Sequence, residues 1–367
     1  MKKSLIALAA LAATASFAQS SVQIDGIFDA GFQAIDYKGN KVNGIAGNGS
    51  STSQINFRGT EDLGGGLKAN FRVETDWNMV FNRANTGAAS VVANSVNAAG
   101  GTFGNGEIRA GLSGNFGAVD LGVVNFNGLN TFLTGQPFGT AIGGGYATIT
   151  RVNAAGDTVR SDNSVKYTSP TFSGLNVTLY KANKQTKGAN AADNFSSTFG
   201  RTDLMGSEEV GINYANGPIA ASYSSLKQDR NGVNTTSTTV DTTSTRLNTL
   251  GANYTMGAAK FFLLNQTNKA SDSSVDTKFT SVSATYAIGA TTLMAQVGEL
   301  KADAGTYAGK KSKLTGLGAD YALSKRTALY ARYESIDDKA SVIAAASTID
   351  GSGTKRTRTA FGLRHNF

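Results

Sequence analysis

Charged side chains at alternate positions are the chemistry this sequence offers. Between residues 67 and 77, Lys68, Asn70, Arg72, Glu74 and Asp76 alternate with Leu67, Ala69, Phe71, Val73, Thr75 and Trp77. The same polar parity holds Asp25, Asp29, Arg58, Glu107, Arg109, Arg160, Lys166, Asp320, Arg332, Glu334, Arg356, Arg358 and Arg364 in other segments. A dry core cannot hold charges of both signs on one face of many segments, because each unpaired buried charge costs several kcal/mol. A water-filled bore can.

Bond-making chemistry finds little support. The chain has no Cys and one His, His365, two residues from the end. That excludes thiolate metal sites and Cys nucleophiles and nearly removes Ser-His-Asp arrangements. Asp337 and Asp338 are adjacent carboxylates in a polar connection and read as a solvated turn. Gly305 to Gly309 and Lys310 has the wrong spacing for a phosphate loop, and no Ser or Thr follows the lysine. The formal charge of +8 is spread over many segments, so nucleic-acid binding is unsupported. An enzyme, a cofactor and a metal are not expected.

The elements that must position these charges are strands. The 44 Gly, 3 Pro and 16% charged residues suit many short strands and fall below the roughly 25% charge of a soluble domain. Met1-Lys2-Lys3, an apolar run over 5–13 and Ser16-Phe17-Ala18 form a signal peptide over 1–18, cleaved to leave Gln19 first. Residues 19–367 then form one domain. No later run is apolar for the roughly 20 residues of a spanning helix. Seven short turns, at 61–66, 115–117, 170–174, 216–218, 256–258, 288–290 and 323–326, alternate with eight long connections. The long ones cover 38–51, 78–105, 127–159, 183–206, 229–244, 268–275, 302–310 and 337–354. Fifteen connections give sixteen strands, with every long loop at one end. An outer-membrane barrel has that asymmetry, with short periplasmic turns and long external loops. Facing is ambiguous at Phe261-Phe262-Leu263-Leu264 and over 119–124. Tyr167, Tyr214, Tyr223, Tyr254, Tyr286, Tyr321 and Tyr333 suit interfacial girdles. The longest loop, 127–159, with Gly135-Gln136-Pro137-Phe138-Gly139 and Gly143-Gly144-Gly145, is the candidate to fold inward and narrow the bore.

Several segments carry a family resemblance. Residues 60–69 (TEDLGGGLKA) resemble the second periplasmic turn of general trimeric porins of Gram-negative bacteria, β-proteobacterial branch. Residues 111–117 (GLSGNFG) look like the third short turn, and 163–170 (NSVKYTSP) match the strand after the constriction loop. Residues 320–327 (DYALSKRT) and the ending 362–367 (GLRHNF) complete the set. The resemblance implies a sixteen-stranded antiparallel transmembrane barrel, a homotrimer, an inward-folded third loop and partners in outer-membrane lipid and lipopolysaccharide. Phe361, Leu363 and Phe367 resemble the signal read by the barrel-insertion machinery, with His365 at a rim-level outward place. The implied pore lining and constriction comprises Arg58, Arg72, Glu74, Glu107, Arg109, Asp157, Arg160, Lys166, Arg332 and Arg358. Gln54, Gly106 and Val123 stand where the family often has Arg, and the loop has only Asp157 and Arg151 as charges. The expected function is passive diffusion of small hydrophilic solutes and ions with mild anion preference. The alternatives are a substrate-specific channel or an adhesin acting through its external loops.

Overall fold

The computed structural model describes residues 21–37, 40–77, 103–152, 159–183, 203–204, 206–229, 231–232, 243–305, 307–339 and 355–367. The expected leader, Asp157 and most of the connections at 78–105, 183–206, 229–244 and 337–354 lie outside the described residues. The strands are β1 (Ser21–Tyr37), β2 (Asn40–Gly47), β3 (Gln54–Gly64), β4 (Leu67–Asp76), β5 (Ile108–Gly114), β6 (Gly117–Asn125), β7 (Arg160–Thr168), β8 (Leu175–Ala182) and β9 (Asp203–Leu204). They continue as β10 (Ser207–Asn216), β11 (Ile219–Asp229), β12 (Asn231–Gly232), β13 (Ser244–Met256), β14 (Ala259–Ala270), β15 (Asp276–Ile288), β16 (Thr291–Ala302), β17 (Lys311–Ala322), β18 (Thr327–Asp338) and β19 (Arg356–Asn366). A helix, α1 (Asn127–Thr134), follows β6.

Sixteen of these strands, all but β2, β9 and β12, close into an antiparallel barrel. Closure is made by β1 against β19, from Ile27↔Asn366 to Tyr37↔Arg356. The lower half of β1 pairs with β3 and its upper half with β2, which folds back from the first long connection. Closure leaves the barrel without an unpaired edge, the condition for backbone in hydrocarbon.

The turns follow from local chemistry. Gly217, Gly257 and Gly289 take φ of 55°, 59° and 57°. Each opens a two-residue hairpin turn whose first position needs left-handed backbone. All seven short turns fall where the sequence places them. In chain order the 60–69 turn joins β3 to β4 and is the first, not the second; the 111–117 turn is likewise the second, not the third. The connection expected at 268–275 is shorter than anticipated. β14 runs on to Ala270, and the Ala270 N–H donates to the Val275 carbonyl, leaving only 271–275 outside the ladder.

Alternation sets the two faces. Outward positions are apolar and uncovered: Val282 is 54% exposed, Leu317 49% and Phe361 61%. An apolar surface this continuous would drive association in water, whereas bilayer hydrocarbon covers it without penalty. Phe261 and Leu263 point outward, while Phe262 and Leu264 are buried within. The mixed pattern over 119–124 has a physical cause. Alternation holds along β6, with Leu121 pointing out and Val124 turned into the inner apolar cluster, while the register shift opposite 122–124 is an extra residue on β7 between Ser161 and Ser164.

Candidate pore constriction

Inside the barrel the chain after β6 does not leave by the external end. Residues 126–152 cross the bore and lie on the inner wall. Helix α1 packs against β10, β11 and β13. Further on, the Ile142 N–H donates to the Gly49 carbonyl, and Gln266 on β14 bonds both the N–H and the carbonyl of Arg151.

Three kinds of contact hold this segment. The first is apolar. Phe126, Phe132, Tyr146, Ile149 and Val152 pack on Leu226, Leu264, Phe279, Leu300, Leu314 and Ile336 from the inner wall. Each such side chain contributes about 1.5–3 kcal/mol when fully buried. The second is backbone proximity. A Cβ at Gly251 would meet the Thr131 carbonyl, and one at Gly316 would meet the Gly143 carbonyl, so glycine at these wall positions lets the segment seat. The third is a pair of buried carboxylates. Helix α1 has Phe126 at its N-cap and no side-chain cap of its own. Glu209 on β10 supplies one, accepting from the Asn127 N–H at 2.5 Å, the Gly128 N–H at 2.7 Å and the Ser224 hydroxyl at 2.5 Å. Glu334 on β18 accepts the Gly143 and Gly145 N–H groups, each at 3.0 Å. Asp29 does the same for the first connection, accepting from the N–H groups of Gly49, Ser50 and Ser51 and from the Tyr330 hydroxyl.

A Glu209→Gln substitution puts an amide NH2 against one of the two N–H donors and removes the charge at the helix start. The expected loss is about 1–2 kcal/mol of docking, or roughly tenfold faster hydrogen exchange over 127–134. Unchanged exchange would detach Glu209 from this role.

The wall left open carries the charge. Arg58 on β3 stands opposite Arg72 on β4, and Arg72 opposite Arg109 on β5. Like charges in direct cross-strand register are unfavourable, so carboxylates on neighbouring rows must balance them. Asp25 pairs with Arg58 at 2.7 Å, and Arg72 reaches Glu74 at 2.5 Å and Glu107 at 3.3 Å. Arg109 pairs with Asp120 at 2.5 Å and lies 3.6 Å from Glu107. Arg160 reaches Asp76 at 3.4 Å and Glu74 at 3.7 Å, and Lys166 donates to the Asn125 carbonyl. The exposure is asymmetric. The Arg58, Arg72 and Arg109 side chains are 55%, 27% and 26% exposed, whereas those of Glu74 and Glu107 are 8% exposed. Glu74 and Glu107 therefore sit behind the guanidiniums, whereas Asp25, the partner of Arg58, is itself 33% exposed.

Seven of the expected lining residues thus converge on one network: Arg58, Arg72, Glu74, Glu107, Arg109, Arg160 and Lys166. Arg332 and Arg358 point inward but do not face the open bore. Arg332 is covered, bound to Asp320 at 2.7 Å and to the Ser50 hydroxyl; Arg358 is buried against Glu334 at 2.8 Å. They support the inward segments rather than line the passage. Asp157 falls outside the described residues. Phe361 stacks on Phe32, and Phe367 packs on Phe28 while its N–H donates to the Gly26 carbonyl across the seam. Sequence reading missed Glu209 and the inner apolar patch. Its signal is a single apolar residue at polar parity near the loop end of successive strands.

The sequence matches the family model described as Gram-negative porin over residues 5–341. The chain belongs to the Gram-negative porin family. Outer membrane porin protein 32 of Delftia acidovorans is 35% identical over the whole of both chains. An anion-selective porin from Comamonas acidovorans superposes with a TM-score of 0.72 at 27% identity, covering 95% of this chain and 100% of that one. OmpT of Vibrio cholerae, in its trimer form, shares the fold at a TM-score of 0.67 and 17% identity, over 95% of this chain and 99% of that one. The porin is an outer-membrane barrel, and its water-filled bore passes small hydrophilic solutes by diffusion. Family and relatives point to a channel rather than an enzyme.

Proposed function

We propose that this porin favours anions, works as a homotrimer, and reaches the outer membrane as residues 19–367, a single barrel domain, after loss of a signal peptide over 1–18. The observation that carries the anion preference is the depth of the charges. Where Arg72 and Arg109 line the bore, Glu74 and Glu107 lie behind them, while Arg58 stands more exposed than its partner Asp25. The facing segment 126–152 contains no Asp or Glu and one Arg, Arg151. A passing ion therefore meets guanidinium first. The name of the Comamonas acidovorans relative points the same way.

The trimer reading is supported by the barrel side around β1–β5. β5 has only 7 residues, short of the roughly 9–11 that cross a bilayer. Its surroundings carry an aromatic cluster, with Phe28 against Trp77 and Phe57 against Phe103. A low wall faced with aromatic rings suits a protein neighbour better than lipid. The terminal rings at Phe361 and Phe367, with Leu363, are the expected handle for the barrel-insertion machinery, and lipid with lipopolysaccharide surrounds the remaining face.

The test is the reversal potential of single porin channels across a KCl gradient. Anion preference is expected, and cation preference would overturn it. Arg58→Glu reverses the most exposed charge of the row, a change of two charge units. Coulomb's law in water gives about 0.7 kcal/mol per unit at about 6 Å, so the permeability ratio should fall by up to roughly tenfold at low salt. Liposome-swelling rates should decline smoothly with sugar size; saturation by one solute would indicate a specific site instead.

A further inference from the structure

The strand position beside β1 is filled by two pieces, and the chain between them turns into the barrel. The sequence places 38–51 in an external connection, yet residues 40–47 return along β1 as β2. From Ala30↔Gly47 to Ile27↔Gln54, β1 advances three residues (30 to 27) while the chain opposite advances seven (47 to 54), so four residues are inserted. An insertion leaves the ladder and must go to one side of the wall. Asn48, at φ 62°, starts the turn, and its side-chain oxygen accepts the Ser53 N–H at 2.9 Å. The side chains that hold the insert all point inward. Asp29 accepts the N–H groups of Gly49, Ser50 and Ser51 at 3.2, 2.8 and 2.7 Å, and the Ser53 hydroxyl donates to the Asp29 carbonyl at 3.1 Å. The Tyr330 hydroxyl donates to the same carboxylate at 2.7 Å, and its ring stands where a Cβ on Gly49 would be. Arg332 donates to the Ser50 hydroxyl at 3.0 Å, and Arg364 reaches it at 3.5 Å.

The place of the insert completes the covered part of the wall. The inward segment seats its helix on β10, β11 and β13 and meets β17 and β18 at Gly316 and Glu334. Its next contact is the insert. The Ile142 N–H donates to the Gly49 carbonyl at 3.4 Å, and Ile142 packs on Tyr330 and Ala360. On its other side the insert runs straight into β3, and the Trp77 N–H donates to the Ser53 carbonyl at 2.8 Å. The insert therefore fills the gap between the inward segment and the arginine row on β3–β5. Gly49, Ser50 and Ser53 are buried, whereas Asn48, Ser51 and Thr52 are half-buried, and inside a barrel an exposed face borders the bore. Charges against the insert balance: Arg58 pairs with Asp25, Arg332 with Asp320, and Arg364 stands opposite Asp29 in register. Residues 48–53 carry no charge of their own, so the insert acts on a solute by bulk and by its hydroxyls rather than by a field.

We propose that residues 48–53 are a second constriction element, which narrows the bore beside β1 and puts Ser51 and Thr52 in the path of the solute. The chain has no native cysteine, so a single one can be introduced and modified without background. Ser51→Cys, Thr52→Cys and, as an outward control, Val282→Cys porins would be reconstituted in planar bilayers. Each would be treated with 2-(trimethylammonium)ethyl methanethiosulfonate, and mass spectrometry would report the modification. Recording in 1 M KCl cuts the reach of charge to about 3 Å, so that bulk is what the current reads. Modification at 51 or 52 should lower single-channel conductance by roughly a third or more, because a passage conducts according to its width and lining. The Val282→Cys channel should be unchanged. A chain lacking residues 49–52, in which β2 and β3 join in one register, should conduct at least about 1.5-fold more than wild type. Thiols at 51 and 52 that are modified with no change in conductance, or that the reagent never reaches, would overturn the proposal and leave the insert as a brace for Ile142. The cysteine variants keep every residue of the chain, so they decide the matter even where the shortened chain does not fold. A cation-selective channel that still shows the drop would sink the anion reading and leave this one standing.

Discussion

Replacing Glu334 by Ala will loosen the inward segment and raise single-channel conductance. Glu334 holds Arg356 at 2.9 Å and Arg358 at 2.8 Å, and all three side chains are buried. Its second oxygen accepts the Gly143 and Gly145 N–H groups. Removing one partner of a buried charge set costs about 3–5 kcal/mol, because the remaining charges lose their counter-ion. Here two guanidiniums lose the carboxylate they share and two backbone donors lose their acceptor. The cheapest relief is for residues 138–146 to leave the wall and admit water, which widens or destabilises the passage. The porin should then show larger and noisier current steps, and its urea midpoint in detergent should drop. Glu334→Gln should give a milder form of both, since it keeps the shape and one acceptor. Unchanged conductance and midpoint in the Ala variant would remove Glu334 from the support of the constriction.

Val282→Arg is expected to destabilise the barrel by about 2–4 kcal/mol when refolded into lipid vesicles. Val282 is 54% exposed on the outward face of β15, midway between Lys278 and Tyr286, where the side chain meets hydrocarbon. Val282→Leu keeps that face apolar and should fall within about 0.5 kcal/mol of wild type. Equal unfolding free energies for the Arg variant and wild type in lipid would contradict the assigned facing.

The parts of this fold legible in sequence were those fixed by local rules. Period-two patterning located the strands, and turn chemistry placed Gly217, Gly257 and Gly289 where hairpins need left-handed backbone. What stayed hidden depends on contacts distant in sequence. Glu209 and Glu334 look like any other inward charge until the segment 126–152 is laid over them, 81 and 191 residues away for the Gly128 and Gly143 contacts. Leu226, Leu264 and Leu314 break the polar parity of their strands, and only the covering segment gives that exception a reason. Over 119–124 alternation holds, and the pattern looks mixed because Val124 is an apolar residue turned inward, onto the patch that the segment covers. Arg332 and Arg358 carry the same parity as Arg72, and parity alone cannot distinguish a side chain under a loop from one beside water. The Arg58–Arg72–Arg109 row needed register, which single segments do not disclose.

That row looks across the bore at residues 126–152, a segment without a carboxylate. Its field reaches only as far as the surrounding ions permit: about 30 Å in 0.01 M salt, about 8 Å at 0.15 M and about 3 Å at 1 M. In dilute fresh water the arginines command the whole cross-section; in brine they influence only ions that brush against them. One unmoving structure would thus discriminate among solutes by charge in poor, dilute surroundings and by girth alone in salty ones, with the habitat itself setting the selectivity.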